Sequence, residues 1–237
     1  MTRRTTRIMT AATGVLALLA AAGCSGSGAD AVGPQLDADG LASYACALAV
    51  DAAAGTPMEE IEGYIGPDTA PELIAAGGAA GLLGATTNSP LEGYEDLLEP
   101  ATTMMQSLQR IDLESLQQSL DDLVTACEGH DLPEGDPDVT EEGRLAQACA
   151  LVTSVDGDDR PAEEWLEIQA PAGSAESLIM ARAGGFSGLG GGLNAWTMPG
   201  HEPLSEASTS VVEGLMRLDT EAVDEGAAAG AEYCATL

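Results

Sequence analysis

Asp112-Leu113-Glu114-Ser115-Leu116-Gln117-Gln118-Ser119-Leu120-Asp121-Asp122-Leu123-Val124-Thr125-Ala126-Cys127 sets its apolar residues three and four positions apart. Leu113, Leu116, Leu120, Leu123 and Cys127 fall on one face of a helical period, while Glu114, Gln117, Gln118, Asp121 and Asp122 fill the other. The spacing predicts an amphipathic helix with Asp112 as its N-cap, because a short acceptor side chain there takes one of the amide protons that a helix start leaves unpaired. The helix closes on a cysteine, and that closure has a counterpart further along the chain.

Working outward, the segment is the end of a block that occurs twice. Ala45-Cys46-Ala47-Leu48 recurs as Ala148-Cys149-Ala150-Leu151, and Pro57-Met58-Glu59-Glu60 as Pro161-Ala162-Glu163-Glu164. Gly77-Gly78, Gly81-Leu82 and Gly84 recur as Gly184-Gly185, Gly188-Leu189 and Gly191. Leu108-Gln109-Arg110-Ile111-Asp112 recurs as Leu215-Met216-Arg217-Leu218-Asp219. The matches keep their order and drift by only a few residues, as loop insertions in the second copy would cause. Each block opens on one cysteine and closes on another. Four cysteines allow three connectivities, and the repeat selects Cys46–Cys127 and Cys149–Cys234, one clasp per copy joining its first helix to its last.

Other stretches also read as helix. Leu91, Tyr94, Leu98, Met104, Met105 and Leu108 form a second apolar stripe, with Pro100 expected to kink or break it. Thr56-Pro57-Met58-Glu59 has the form of a capping box with proline at the first helical position. Alternating β-branched runs bounded by turns do not occur. The expected helices of copy one are 38–54, 57–64, 70–86, 91–110 and 112–128; those of copy two are 141–154, 161–168, 175–194, 203–217 and 219–235. The fold class is therefore all-α: two tandem pseudo-symmetric helical repeats of about four to five helices each, with one disulfide per repeat. Repeat 1 covers 37–129, repeat 2 covers 141–237, and the Pro- and Gly-bearing segment 130–140 links them.

The copies distribute bulk differently. Leu116, Leu120 and Leu123 of the closing helix align with Val223, Ala227 and Gly230, while Trp165 and Phe186 align with Ile61 and Ala79. Close packing demands that lost volume be returned nearby. Either the large residues of copy two pack over its own small-residue helix, or the Gly/Ala face of 226–231 packs against copy one.

At the start of the chain Arg3, Arg4 and Arg7 precede an apolar stretch from about Ile8, followed by Leu19-Ala20-Ala21-Ala22-Gly23-Cys24 and then Ser25-Gly26-Ser27-Gly28. A basic, then apolar, then small-residue order is a secretion signal, and with a cysteine directly after the small residues it resembles the lipobox of bacterial lipoproteins. The resemblance covers the first 28 or so residues. It implies a signal peptide over 1–23, a diacylglycerol on the sulfur of Cys24, and a lipidated, flexible tether over 24–36. It implies an extracytoplasmic protein held to the cell membrane by its lipid, since two acyl chains anchor stably where one does not.

The 237 residues hold 39 acids against 8 basic residues, for a formal net charge of −31. All the basic residues are arginines. Such a surface repels nucleic acid and anionic phosphoryl substrates and attracts cations or a basic protein or peptide.

Motifs for chemistry do not complete themselves. The glycine-rich 184–192 run lacks the preceding strand of a phosphate-binding loop and reads as close helix packing. Cys127 and His130 have a zinc-compatible spacing, which a disulfide at Cys127 removes. His201 has no motif around it. Asp136 with Asp138, and Asp156 with Asp158 and Asp159, offer clustered carboxylates, but a calcium loop starting at Asp156 fails because its sixth position is Pro161 rather than glycine. No Gly-x-Ser-x-Gly is present, and Arg110/Asp112 with Arg217/Asp219 read as a helix end followed by an N-cap. No catalytic, cofactor-binding or metal residue is assigned, and no cofactor is expected. The expected function is a membrane-anchored, non-enzymatic binding or structural/interaction protein of the cell surface; the alternatives are an acidic cation-binding protein and a cell-wall hydrolase.

Overall fold

A computed structural model of the protein describes residues 31–32, 34–62, 69–133, 135–166, 169–194 and 198–237. The signal segment 1–23, the lipidation site Cys24 and the tether up to residue 30 lie outside the described residues.

The described chain is helical, with helices α1 (Ala38–Ala54), α2 (Pro71–Leu82), α3 (Leu98–Arg110), α4 (Leu113–Cys127), α5 (Glu141–Asp156), α6 (Ala162–Trp165), α7 (Ala175–Leu189), α8 (Glu202–Arg217) and α9 (Thr220–Cys234). Short 3₁₀ turns occupy Met58–Glu60, Glu95–Leu97 and Gly192–Asn194. Two-residue strands β1 (Ala31–Val32) and β2 (Asp136–Pro137) pair in parallel.

Helices α2 and α7 cross at the centre. Every residue of α2 from Leu73 to Leu82 is buried, so this helix is apolar all round rather than striped, as a core helix is. A Cβ on Gly81 would collide with the carbonyl of Gly184, and one on Gly188 with that of Gly77. Leu189 covers Gly78, and Leu82 covers Gly185. The glycines are there because two helix backbones touch.

Around this crossing, α1 packs on α2 and α4, α5 packs on α7 and α9, α3 packs on α2 and α4, and α8 packs on α7 and α9. Cys46 on α1 is bonded to Cys127 at the end of α4, with Cα atoms 5.9 Å apart across 81 residues. Cys149 on α5 is bonded to Cys234 at the end of α9, with Cα atoms 5.5 Å apart across 85 residues.

Helices α3 and α8 stop alike. Ile111 (φ 55°) and Leu218 (φ 56°) turn left-handed, the amides of Asp112 and Asp219 reach back to the carbonyls of Ser107 and Gly214 at 2.9 Å, and the two aspartates cap the next helices by accepting from Ser115 and Ala222.

Several expectations change. The helix expected over 57–64 is a 3₁₀ turn at Met58–Glu60, with 63 and 64 outside the described residues, and the one expected over 175–194 ends at Leu189. Pro100 does not break a helix; it is the third residue of α3, where no intrahelical amide bond is lost. The segment before it is a loop with a 3₁₀ turn rather than helix. Thr56 does not cap the Met58 turn. Its own amide donates to Glu72 at 2.8 Å, and the amide of Met58 is satisfied from α4, by Gln117 Oε1 at 3.0 Å. In the same way the amide of Ala162 at the start of α6 donates to Asp224 of α9 at 3.0 Å. Residues 130–140 are not a free linker throughout, since Asp136 and Pro137 pair with the lead-in strand β1.

The bulk question resolves toward the first alternative. Phe186 and Val152 fill the space above Gly230, and Gly226 faces Val211 and Ala207 of α8. The small-residue helix α9 is thus covered by large residues of its own half.

Candidate functional site

A cleft of about 580 Å³ opens between α3 and the last turn of α8, over the turn that follows α2. From α3 come Thr102, Met105, Gln106 and Gln109, which share one helical face at spacings of three and four. From the end of α8 come Leu215, Met216, Arg217 and Leu218, and from the turn Ala85, Thr86, Thr87 and Asn88.

The turn is held rigidly. Gly84 has φ 79°, and a Cβ there would collide with the carbonyl of Ser89, so the tight reversal needs glycine. The amides of Thr87 and Ser89 both donate to the Gly84 carbonyl, at 3.3 and 3.1 Å. Asn88 takes a left-handed φ of 54°, which its short side chain tolerates. The segment before α7 ties the turn down from the other half: the amide of Gln169 donates to the Thr87 carbonyl at 3.2 Å, and that of Ala170 to the hydroxyl of the fully buried Ser89 at 3.0 Å.

The hydroxyl oxygens of Thr86, Thr87 and Thr102 are buried without a hydrogen-bond partner among the described residues. Thr87 is 6% exposed. A buried hydroxyl left unpaired costs about 1–3 kcal/mol; these oxygens have no exposed surface on the cleft, and that of Thr86 faces Gly184 of α7. Among the described residues the lining contains no carboxylate, in a chain with 39 acids. Among those residues the charged one is Arg217, whose exposed guanidinium lies 3.1 Å from Glu213.

The chain matches no protein-family model, no curated protein and no solved structure.

The residues weighed from the sequence lie elsewhere. Cys127 is in a disulfide. His130 lies 3.1 Å from Asp96 and stacks at a tilt on Tyr94 with ring centroids 5.0 Å apart. His201 shares a 2.8 Å hydrogen bond with the Tyr233 hydroxyl. In the 156–159 cluster, Asp158 binds the Arg160 guanidinium at 3.0 Å, which continues to Glu176 at 2.8 Å; hydrogen bonds from Arg160 hold the Asp158 carboxyl below its ordinary range. Asp138 accepts from the Thr140 amide at 3.0 Å. These acids serve the backbone and arginine.

An acidic trough of about 790 Å³ runs along α4, with Glu59, Asp96, Glu99, Glu114, Asp121 and Asp122 on its walls. Among the described residues, no three His, Cys, Asp or Glu side chains converge as a metal set. Two tyrosines are shifted. Burial, then the hydrogen bond to Asp39 at 3.0 Å, pushes Tyr94 up to about 12; burial likewise raises Tyr44, whose hydroxyl donates to the Asp138 carbonyl at 2.8 Å. Both stay protonated and hold segments together. Among the described residues no helix is long and apolar enough to cross a membrane.

Sequence reasoning did not single out the cleft. Its signal is present as a gap: Pro100 to Gln109 carries no charge between Glu99 and Arg110, on a helix whose outer face would otherwise bear acids.

Proposed function

We propose that this protein is an extracytoplasmic lipoprotein, anchored to the cell membrane through acylated Cys24, that works by binding rather than by chemistry. The observation that carries the binding role is the cleft between α3 and the end of α8, with the exposed amides of Asn88, Gln106 and Gln109 on its walls and no carboxylate among its described lining residues, in a chain of net charge −31. Primary amides recognise ligands; among the described residues none of the lining side chains is a histidine, carboxylate or thiol of the kind that moves protons or attacks.

The same reading takes the two halves as pseudo-symmetric copies of one unit, related by a local two-fold axis through the α2–α7 crossing. Reciprocal contacts support it, since a two-fold interface pairs residue i with j and j with i. In the repeat alignment Gly77 corresponds to Gly184 and Gly81 to Gly188. Gly81 touches Gly184 and Gly188 touches Gly77. The lead-in segments behave alike: Tyr44 of α1 donates to the Asp138 carbonyl at 2.8 Å, and Gln147 of α5 donates to the Gln35 carbonyl at 2.9 Å. The long acidic surface outside the cleft suits a basic protein or peptide partner.

The test is the mass of the protein taken from membranes without reduction. A diacylated Cys24 peptide supports the anchor. An unmodified Cys24 on a protein found free of the membrane removes it. The acidic trough on α4 favours a second reading, cation binding; it requires a calcium-dependent rise in melting temperature that disappears in Asp121→Asn with Asp122→Asn.

A further inference from the structure

Resting on the lipid anchor just proposed at Cys24, we infer that an apolar groove beside the Cys46–Cys127 disulfide is the seat of one of that anchor's own acyl chains. The groove, of about 560 Å³, lies between α1 and the end of α4. Ala47, Val50 and Ala54 line it from α1, Val124 from α4, and Leu132 and Val139 from the segment that follows. Val50 is 52% exposed, a large apolar side chain left in water.

The place where the described chain begins points to the occupant. Strand β1 pairs with β2 in parallel, Ala31 opposite Asp136, and Gly135, Asp136 and Pro137 belong to the wall of the groove. The described chain therefore enters the fold at the groove's edge. Seven residue steps separate Cys24 from Ala31, a reach of at most about 25 Å. The stretch of α1 along the groove, residues 43–54, is about 17 Å long. The lipid is thus tethered within reach of the whole groove, at the high effective concentration that a short linker gives. The peptide cannot fill the groove itself, since Ser25-Gly26-Ser27-Gly28-Ala29-Asp30 carries no large apolar side chain.

Charge separates this occupant from other lipids. Glu128 and Asp136 stand exposed in the lining, and Asp51 lies 4.0 Å from Arg144. In a chain of net charge −31 these acids repel a fatty-acid carboxylate or an anionic phospholipid, whereas a diacylglycerol thioether carries no charge. The acyl chain gains little by exchanging one apolar medium for another; the gain is the groove's own apolar surface, which leaves water.

The other half supplies a contrast. The groove beside Cys149–Cys234 presents Thr153 and Ser154 where this one presents Val50 and Asp51. The exposed valine belongs to the groove whose wall carries the partner of β1.

The experiment places benzoylphenylalanine, a photo-crosslinker that inserts into nearby C–H bonds, in the full chain in intact cells. The variants are Val50→benzoylphenylalanine, Ala54→benzoylphenylalanine and, as the control, Thr153→benzoylphenylalanine. All three positions are exposed, and the two disulfide-linked peptides in the unreduced digest report that each variant has folded. The expected result is a residue-50 peptide joined to the acylated Cys24 peptide, in monomer-sized material, at least tenfold above the yield from position 153, with position 54 repeating it. Adducts with phospholipid in its place mean that the groove faces the bilayer and overturn the proposal. Equal yields from positions 50 and 153, or no lipid adduct at 50 and 54, also overturn it. An acylated Cys24 peptide without the adduct removes the seat and leaves the anchor; an unacylated Cys24 peptide removes both.

Discussion

Gly81 and Gly184 meet backbone to backbone: a Cβ on Gly184 would stand 2.8 Å from the carbonyl oxygen of Gly81. The whole molecule is assembled around that contact, because α2 and α7 are the helices on which both halves pack. Gly81→Ala forces the crossing apart. Overpacking a close-packed core typically costs about 1–3 kcal/mol, a fall in melting temperature of roughly 2–4 °C per kcal/mol for a chain of this size. Gly129→Ala, whose Cβ would meet a single carbonyl at 3.2 Å, is expected to melt close to the parent. Circular dichroism on heating separates the two.

The amides of Met58 and Ala162 belong to fully buried residues and are satisfied from distant helices, by Gln117 and Asp224. Removing either acceptor leaves a buried donor unpaired, at about 1–3 kcal/mol. Gln117→Ala and Asp224→Ala should lose similar amounts in urea unfolding. Asp224→Asn keeps an acceptor for the Ala162 amide and should recover most of the loss at that site. If one site proves silent, the two turns are not held in the same way.

Each disulfide closes a long loop, so each removal frees a comparable stretch of unfolded chain. The paired variants Cys46→Ala/Cys127→Ala and Cys149→Ala/Cys234→Ala should each lose about 2–5 kcal/mol. Because the closures span 81 and 85 residues, the losses should be nearly equal. A marked inequality in urea midpoints would mean that native-state packing around one cystine, rather than loop closure, dominates.

Glu72 gives a pH signature. Burial raises its pKa, but hydrogen bonds, led by the Thr56 amide, outweigh that and leave it lowered in the folded protein. A depressed folded pKa contributes stability above the unfolded glutamate value and loses it as pH falls through the folded one. The melting difference between parent and Glu72→Gln should therefore be full at neutral pH and shrink below about pH 4. A difference that persists into acid would point to packing against Gly55 instead.

With 39 acids against 8 arginines, the folded protein repels itself. Salt screens such repulsion over a Debye length of about 10 Å at 0.1 M. Raising NaCl at neutral pH should raise the melting temperature, and a flat response would show that the acids are spaced widely enough not to interact.

The outer helices were legible because their signals are local. The Leu113–Leu123 stripe, the caps at Asp112 and Asp219, and the arginine-to-aspartate helix breaks all lie within a few residues of one another. The central helices were not legible in the same way. Residues 73–82 are apolar throughout, so no period marks a face, and their helix was bounded only by Pro71 and by the glycine turn after it. Pro100 misled for a related reason: the same residue breaks a helix or begins one, and the loop ahead of it decides which. The Thr56 box failed because a carboxylate sixteen residues away, Glu72, competes for the Thr56 amide. The cleft was invisible in advance, since Thr86, Thr102 and Gln109 are ordinary surface residue types until two helix ends and a turn bring them together.

The sequence by itself determined the helical class and the breaks before Asp112 and Asp219, because periodicity and caps act over single helical turns. It also singled out four cysteines, which the structure joins as Cys46–Cys127 and Cys149–Cys234. Only the tertiary structure decided that Gly81 would touch Gly184, that α4 and α9 would supply the acceptors for Met58 and Ala162, and that the charge-free face of α3 would wall a cleft against the end of α8. Those outcomes depend on which small surfaces fit at close range between segments a hundred residues apart, and nothing local along the chain encodes that fit.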